Sequence, residues 1–134
     1  MNRTIKFRVW DTVGKQMSPV FHLFGEFTLL GAVHAWQRDF RTDEKDSLMM
    51  LNDLEIMQFT GLRDKAKREI FEGDILESAD GGSPIRAEVY FGENDFLTGV
   101  VGWCVEFKRG SNFLDKPKKW KVIGNVHENP ELVR

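Results

Sequence analysis

The feature that most constrains this chain is the alternation of apolar and polar residues over several short segments. Near the N-terminus, Ile5, Phe7 and Val9 alternate with polar or oppositely facing side chains. Successive side chains of an extended strand point to opposite faces, so a period of two predicts a half-buried strand. Similar patterns, or short apolar runs bounded by turns, predict further strands at 54–60, 74–78, 86–91, 100–108 and 120–123. The sequence therefore predicts a mainly β fold, a small partly open barrel or a sandwich of short antiparallel strands with at most one or two short helices.

Turn-forming residues separate these strands, with clusters of Gly, Pro, Ser, Asp and Asn at 77–84, 92–95 and 110–117. The segment 29–40 has the spacing of a short helix. Thr42 or Asp43 could cap another helix that runs to Leu51, although a loop fits that segment equally well. No proline- or serine-rich linker and no repeat divides the 134 residues. A chain of this length is typical of one domain, so a single domain is expected over 1–134.

The balance of charges excludes two extreme classes of protein. Lys and Arg number 19 against 21 Asp and Glu, for a net charge of −2, which fits neither a strongly basic nucleic-acid binder nor a strongly acidic mimic. The chain has no run of about 18 apolar residues, so no membrane partner is expected. Its single cysteine, Cys104, cannot form an internal disulfide, which predicts a reducing cytoplasm as its location.

No motif for a metal, a cofactor or catalysis is found. The three histidines, His22, His34 and His127, are scattered, and no Cys-x-x-Cys pair is present. Cys104 lies inside a predicted strand, where a thiol is usually buried and inert. Neither glycine-rich phosphate-binding motif occurs. We therefore expect no cofactor, no metal and no enzymatic activity.

One stretch, 108–121, concentrates positive charge around two aromatic residues, Phe113 and Trp120. Its cations are Lys108, Arg109, Lys116, Lys118, Lys119 and Lys121. Cations beside exposed rings bind single-stranded nucleic acid, because the charges contact phosphates and the rings stack on bases. Lysines on an edge strand also prevent aggregation, with Trp120 then facing the core. The sequence leaves both interpretations open.

Three segments together resemble the YopX family of small phage and prophage proteins. They are IKFRVWD at 5–11, MQFTGLRDK at 57–65 continuing to EIFEGDIL at 69–76, and VIGNVHENPEL at 122–132. The resemblance implies a mainly β fold in a bacterial or phage setting, with a variable insert near 18–53 and the most family-like part at 54–134. It carries over no catalytic residue.

The sequence departs from the family pattern in one turn, where the family commonly has Asn-Gly-Lys and this chain has Ala66, Lys67 and Arg68. Ala and Lys resist the positive φ of a tight primed turn, so we expect a wider loop or a helical turn there.

Within the three segments that resemble the family, the matching polar, glycine and aromatic residues are predicted to hold turns. The alternative is that they form a polar patch that binds a ligand. These residues are Trp10, Asp11, Thr60, Gly61, Asp64, Gly73, Asp74, Gly124, Asn125, Asn129 and Pro130.

Three functional hypotheses follow from the sequence. The leading one is a non-enzymatic accessory protein of phage type that binds a protein partner or a second copy of itself. The first alternative is a nucleic-acid-binding module that uses 108–121. The second is a small hydrolase or nuclease in which carboxylates such as Asp64, Asp74 or Glu128 converge in a pocket.

Overall fold

The computed structural model describes residues 5–22, 54–79, 82–93, 100–108 and 110–133. The helices predicted within 29–40 and 43–51 lie outside these residues, as does most of the variable insert. The strands are β1 (Lys6–Asp11), β2 (Gln16–Met17), β3 (Phe21–His22), β4 (Leu54–Arg63), β5 (Glu69–Phe71), β6 (Asp74–Ser78), β7 (Ile85–Gly92), β8 (Gly102–Phe107), β9 (Gly110–Phe113) and β10 (Lys121–Asn125). Short 3-10 turns cover Pro117–Lys119 and Pro130–Val133.

The prediction of a mainly β fold made of short antiparallel strands is confirmed. The predicted loop over 110–117 is wrong in its first half, because Gly110–Phe113 forms β9 and pairs antiparallel with β8. Neither glycine nor asparagine favours a strand, so hydrogen bonding to β8 rather than local propensity makes this segment extended. No helix in the described segments is both long and apolar enough to cross a membrane.

The chain divides into two compact units, Met1–Phe59 and Thr60–Arg134. In the first unit, β1 pairs antiparallel with β2, with β3 and with the first half of β4. Val9, Trp10, Met57 and Phe59 are buried there. The single domain predicted from the sequence stays a prediction.

The second unit contains an antiparallel sheet in the order β10-β6-β7-β8-β9. One face of this sheet is apolar, because the alternating positions of neighbouring strands lie in register. Leu76 is the partner of both Ala87 and Val122, and Val89 is the partner of Val105. All five side chains are buried in one hydrophobic cluster, together with Ile70 and Leu114. The strand positions between them point to the opposite face, which carries Glu77, Arg86, Glu88 and Glu106 as well as the buried Ile75 and Cys104.

Candidate functional site

Asp64 organises the loop between β4 and β5. Its side chain is 3% exposed. One carboxylate oxygen accepts hydrogen bonds from the backbone N–H groups of Ala66, at 2.9 Å, and Arg68, at 2.8 Å. The other accepts from the N–H of Val122 at 2.9 Å, on β10. Asp64 therefore fixes the shape of its own loop and connects that loop to β10, the edge strand of the sheet in the second unit.

The loop that Asp64 holds is wide, as predicted, since five residues separate β4 from β5. The expectation that Lys67 avoids positive φ is wrong, because its φ is +66°. The Lys67 N–H donates to the carbonyl of Asp64 at 2.9 Å, and the residues on either side of Lys67 bond to the Asp64 carboxylate. These bonds hold the lysine in a conformation that costs an L-residue about 1 kcal/mol.

Gly73 and Asp74 hold the turn from β5 into β6. The Asp74 side chain is buried and accepts a hydrogen bond from the N–H of Phe71 at 2.8 Å. Gly73 has a φ of +83°, which a residue with a Cβ resists. The Gly73 N–H donates to Val89, and its carbonyl accepts from Val126, both at 2.9 Å. The turn is thus bonded to β7 and to the segment after β10.

Two asparagines hold the turn of the C-terminal motif, at 122–132, by hydrogen bonds within the motif. The Asn125 side-chain oxygen accepts from the N–H groups of His127 and Glu128, and its amide donates to the Glu128 carboxylate at 2.9 Å. Asn129 donates its backbone N–H to the Asn125 carbonyl at 2.8 Å, and its side-chain oxygen accepts the Asn125 N–H at 3.3 Å. Pro130 then begins the last 3-10 turn.

Thr60 and Gly61 shape the middle of β4. The Thr60 hydroxyl donates to the carbonyl of Ile70 and accepts from the N–H of Leu62, at 2.8 and 3.1 Å. Gly61 has a φ of +84°.

In the first unit, Asp11 has a similar role to that of Asp64. Its carboxylate accepts the N–H groups of Val13 and Gly14 at 3.0 Å each, in the turn before β2. Trp10, beside it, is 7% exposed. The matched polar residues thus bond to the turns in which they lie.

A groove of about 1070 Å³ opens in the second unit at one end of the sheet, away from these turn residues. The start of β7, the end of β8 and the C-terminal 3-10 turn line it. Ile85, Phe107 and Leu132 supply apolar surface, and Ile85 is 45% exposed. A groove with apolar walls and a few charged groups has the ordinary character of a binding site.

Two carboxylates face each other in this groove. Glu88 of β7 and Glu106 of β8 are direct partners in the antiparallel register. Side chains at such positions have Cβ atoms about 5 Å apart, and like charges there destabilise a sheet. Glu88 is half-buried, and neither carboxylate has a hydrogen-bond or ion-pair partner in the described part of the chain.

The basic residues of the groove do not relieve this repulsion. The Arg86 guanidinium bonds to the Glu77 carboxylate at 3.0 Å and to the carbonyl of Leu132 at 3.4 Å. Lys108 is exposed at the end of β8. Burial, and then the charge of Glu106, raise the pKa of the Glu88 carboxyl above its ordinary value. The groove therefore holds a carboxylate whose ionised form is disfavoured.

A sequence model of the YopX protein family matches residues 6–134 of the chain. The chain belongs to the YopX family. The match runs through both compact units and includes all the turn residues described above.

One solved structure similar to this YopX protein is that of protein EF1440 from Enterococcus faecalis. The two chains are 25% identical, the TM-score is 0.51, and the alignment covers 97% of this chain and 98% of the other. No curated protein matches this chain significantly. The comparisons support the family and the fold and leave the activity to be argued from the site.

Only some residues of the basic stretch at 108–121 are exposed in this YopX protein. Trp120 is partly buried and packs against the hydrophobic cluster of the second unit, as the edge-strand interpretation expected. Phe113 is also partly buried. Lys116, Lys118, Lys119 and Lys121 are exposed, and Arg109 lies outside the described residues. The structure thus exposes the lysines and leaves Trp120 partly exposed, packed against the hydrophobic cluster.

Sequence reasoning missed the pair formed by Glu88 and Glu106. Both were visible as polar positions in alternating strands, but their opposition depends on the register between β7 and β8. Nine residues separate these strands, so no two-residue hairpin turn fixes that register in the sequence.

Replacing Glu88 by glutamine is expected to raise the free energy of unfolding at pH 7 by about 0.5 kcal/mol, because the neutral amide removes a like-charge contact. The raised pKa means that the folded state holds the Glu88 proton more tightly than the unfolded state. The wild type therefore gains stability below the ordinary glutamate pKa and loses it as the pH rises through the raised value. Urea unfolding between pH 4 and pH 7 measures this difference. A variant less stable than the wild type at pH 7 would contradict the account.

Proposed function

We propose that this YopX protein is a non-enzymatic binding module whose groove takes an extended segment of a partner protein. The observation that carries the proposal is the pair of Glu88 and Glu106, which oppose each other across β7 and β8 and have no partner among the described residues. A fold that keeps two like charges in contact loses stability, and proteins commonly retain such arrangements at functional sites.

The chemistry of the groove selects a basic side chain of the partner. A cation between the two carboxylates would remove their repulsion, and Arg86 is already bonded to Glu77 and Leu132. Arginine suits the position better than lysine, because its guanidinium is planar, weakly hydrated and able to bond two carboxylates at once. Ile85, Phe107 and Leu132 would contact apolar residues next to that arginine.

The carboxylates proposed from the sequence as catalytic groups are engaged in turns, which argues against catalysis by them. Asp64 and Asp74 are buried and accept backbone hydrogen bonds in different turns, and the Glu128 carboxylate accepts from Asn125. A general acid or base must reach the proton of a substrate, which groups engaged in this way do poorly. In this proposal the protein is an accessory protein of phage type that acts without turnover in the bacterial cytoplasm, a location that its single cysteine suits.

The test uses the peptide acetyl-Leu-Arg-Leu-amide and the same peptide with neutral citrulline in place of arginine. We expect the arginine peptide to shift the amide NMR signals of the ¹⁵N-labelled protein at the start of β7 and the end of β8. The Glu88→Gln and Glu106→Gln variants should each bind it about tenfold more weakly, since each removes one charged hydrogen-bond partner.

The matched control is Glu55→Gln, which makes the same change of charge at an exposed position of the first unit. It should leave peptide binding unchanged. Equal binding of the arginine and citrulline peptides would reject a role for the carboxylate pair. Binding of neither peptide would overturn the groove as the recognition site, and turnover of a substrate that depends on Glu88 would contradict the non-enzymatic assignment.

A further inference from the structure

Two basic segments that are far apart in the sequence lie side by side in the second unit. The N–H of Lys65 donates to the carbonyl of Trp120 at 3.0 Å, and the Asp64 carboxylate accepts from Val122 at 2.9 Å. These two bonds join the loop at 64–68 to the segment that precedes β10. Only the second of these segments stands out as a cluster of positive charge in the sequence.

The joined segments form a strongly positive surface, which we call the basic surface. Its exposed cations are Arg63, Lys65, Lys67, Arg68, Lys116, Lys118 and Lys119. Asp64, within the loop, is buried and bonded to three backbone N–H groups, so Asp115 is the exposed acid of these two segments. None of the seven cations forms an ion pair in the described part of the chain. Since the whole chain has a net charge of −2, the rest of it is net negative.

The composition of the basic surface indicates the class of partner. Protein interfaces bury apolar side chains at their centre. The large exposed hydrophobic residues of the described chain, which include Ile85, Phe91 and Val101, all lie outside both basic segments. Many long cations that have no ion-pair partner among the described residues, in segments without a large exposed hydrophobic residue, suit a regular row of phosphates. Binding then gains free energy from counterion release rather than from apolar burial.

We propose that the basic surface binds the phosphate backbone of nucleic acid without reading its sequence. Trp120 packs against the core, so base stacking contributes little, and a duplex is bound at least as well as a single strand. This site is separate from the groove, and neither proposal depends on the other.

The experiment measures fluorescence anisotropy of a labelled 20-base-pair DNA duplex titrated with the full chain. If about four phosphates are neutralised, raising the salt from 50 to 200 mM weakens binding roughly 10²-fold. The paired variants Lys65→Glu with Arg68→Glu, and Lys118→Glu with Lys119→Glu, are each expected to weaken binding at least tenfold. Each pair should also make the slope of log K against log salt shallower by about two.

The matched control is Lys15→Glu with Lys108→Glu, which changes the net charge equally at exposed positions outside the basic surface. It should weaken binding far less than either paired variant. Circular dichroism establishes that all variants are folded. The proposal would be overturned if the wild type did not bind at 50 mM salt, or if the control lost as much affinity as the paired variants. It would also be overturned if only one of the two paired variants lost affinity. Polyglutamate that competes as well as the duplex at equal charge would point to an acidic protein partner and would also overturn it.

Discussion

Replacing Asp64 by alanine is expected to lower the free energy of unfolding by about 4 kcal/mol. The substitution removes the acceptor of three backbone N–H groups, those of Ala66, Arg68 and Val122. Hydrogen bonds to a charged group contribute more than neutral ones, and a buried donor left without an acceptor carries its full desolvation cost. The loss should exceed that of an ordinary surface substitution several-fold.

Equilibrium unfolding in urea measures this loss, and Asp115→Ala is the matched control because Asp115 is an exposed acid in the same unit. The control should change the stability by less than about 0.5 kcal/mol. Asp64→Asn should lose an amount of stability between those of Asp64→Ala and the control. Its amide keeps one acceptor oxygen but turns a donor group toward the remaining N–H groups. An Asp64→Ala protein as stable as the control would mean that the loop is held by other contacts.

Gly124→Ala is expected to destabilise the fold by about 2 kcal/mol, the usual cost of forcing an extra carbon into a packed site. A Cβ at position 124 would lie 2.5 Å from the side-chain oxygen of Asn129, 2.9 Å from its Cγ and 3.1 Å from its Cβ. Rotation of the amide alone cannot relieve all three contacts. Asn129 must move, and its hydrogen bonds to Asn125 are then weakened.

A double-mutant cycle with Asn129→Ala tests this explanation. Once the Asn129 amide is removed, the alanine at 124 meets fewer atoms, so the double variant should lose at least about 1 kcal/mol less than the sum of the single losses. Thermal unfolding of the four proteins at one pH gives the coupling. Strict additivity would show that the cost of Gly124→Ala arises from something other than contact with Asn129.

Much of the fold could be predicted because the alternation of apolar and polar residues within a segment is enough to indicate a strand. Alternation at Ile5–Val9 and at 86–91 marks strands directly, since the period of side-chain direction is a property of the extended backbone. The short strand β9 could not be found in this way, because Gly110–Phe113 is extended through its bonds to β8. The positive φ of Lys67 was missed for a similar reason, since it depends on bonds to Asp64.

The two proposed sites could be predicted less well, because both depend on contacts between distant segments. The opposition of Glu88 to Glu106 follows from the register of β7 and β8. The basic surface follows from the bond between Lys65 and Trp120, which are 55 positions apart. The basic character of 108–121 was visible in the sequence, but the structure adds the loop at 63–68 and places Trp120 against the core.

Two pairs of acidic residues in the second unit therefore have opposite effects on stability. Asp64 and Asp74 are matched family residues that stabilise turns by accepting backbone hydrogen bonds. Glu88 and Glu106 lie outside the matched motifs, face each other and weaken the sheet. In this account, the first pair maintains the architecture and the second is retained for recognition of a cation.

Urea unfolding of the wild type, Asp64→Ala and Glu88→Gln in parallel at pH 7 tests this division most directly. The account predicts that the unfolding midpoint falls for Asp64→Ala and rises for Glu88→Gln, although each substitution removes one carboxylate from the same unit. A fall of similar size in both variants, or an unchanged midpoint in Asp64→Ala, would contradict it.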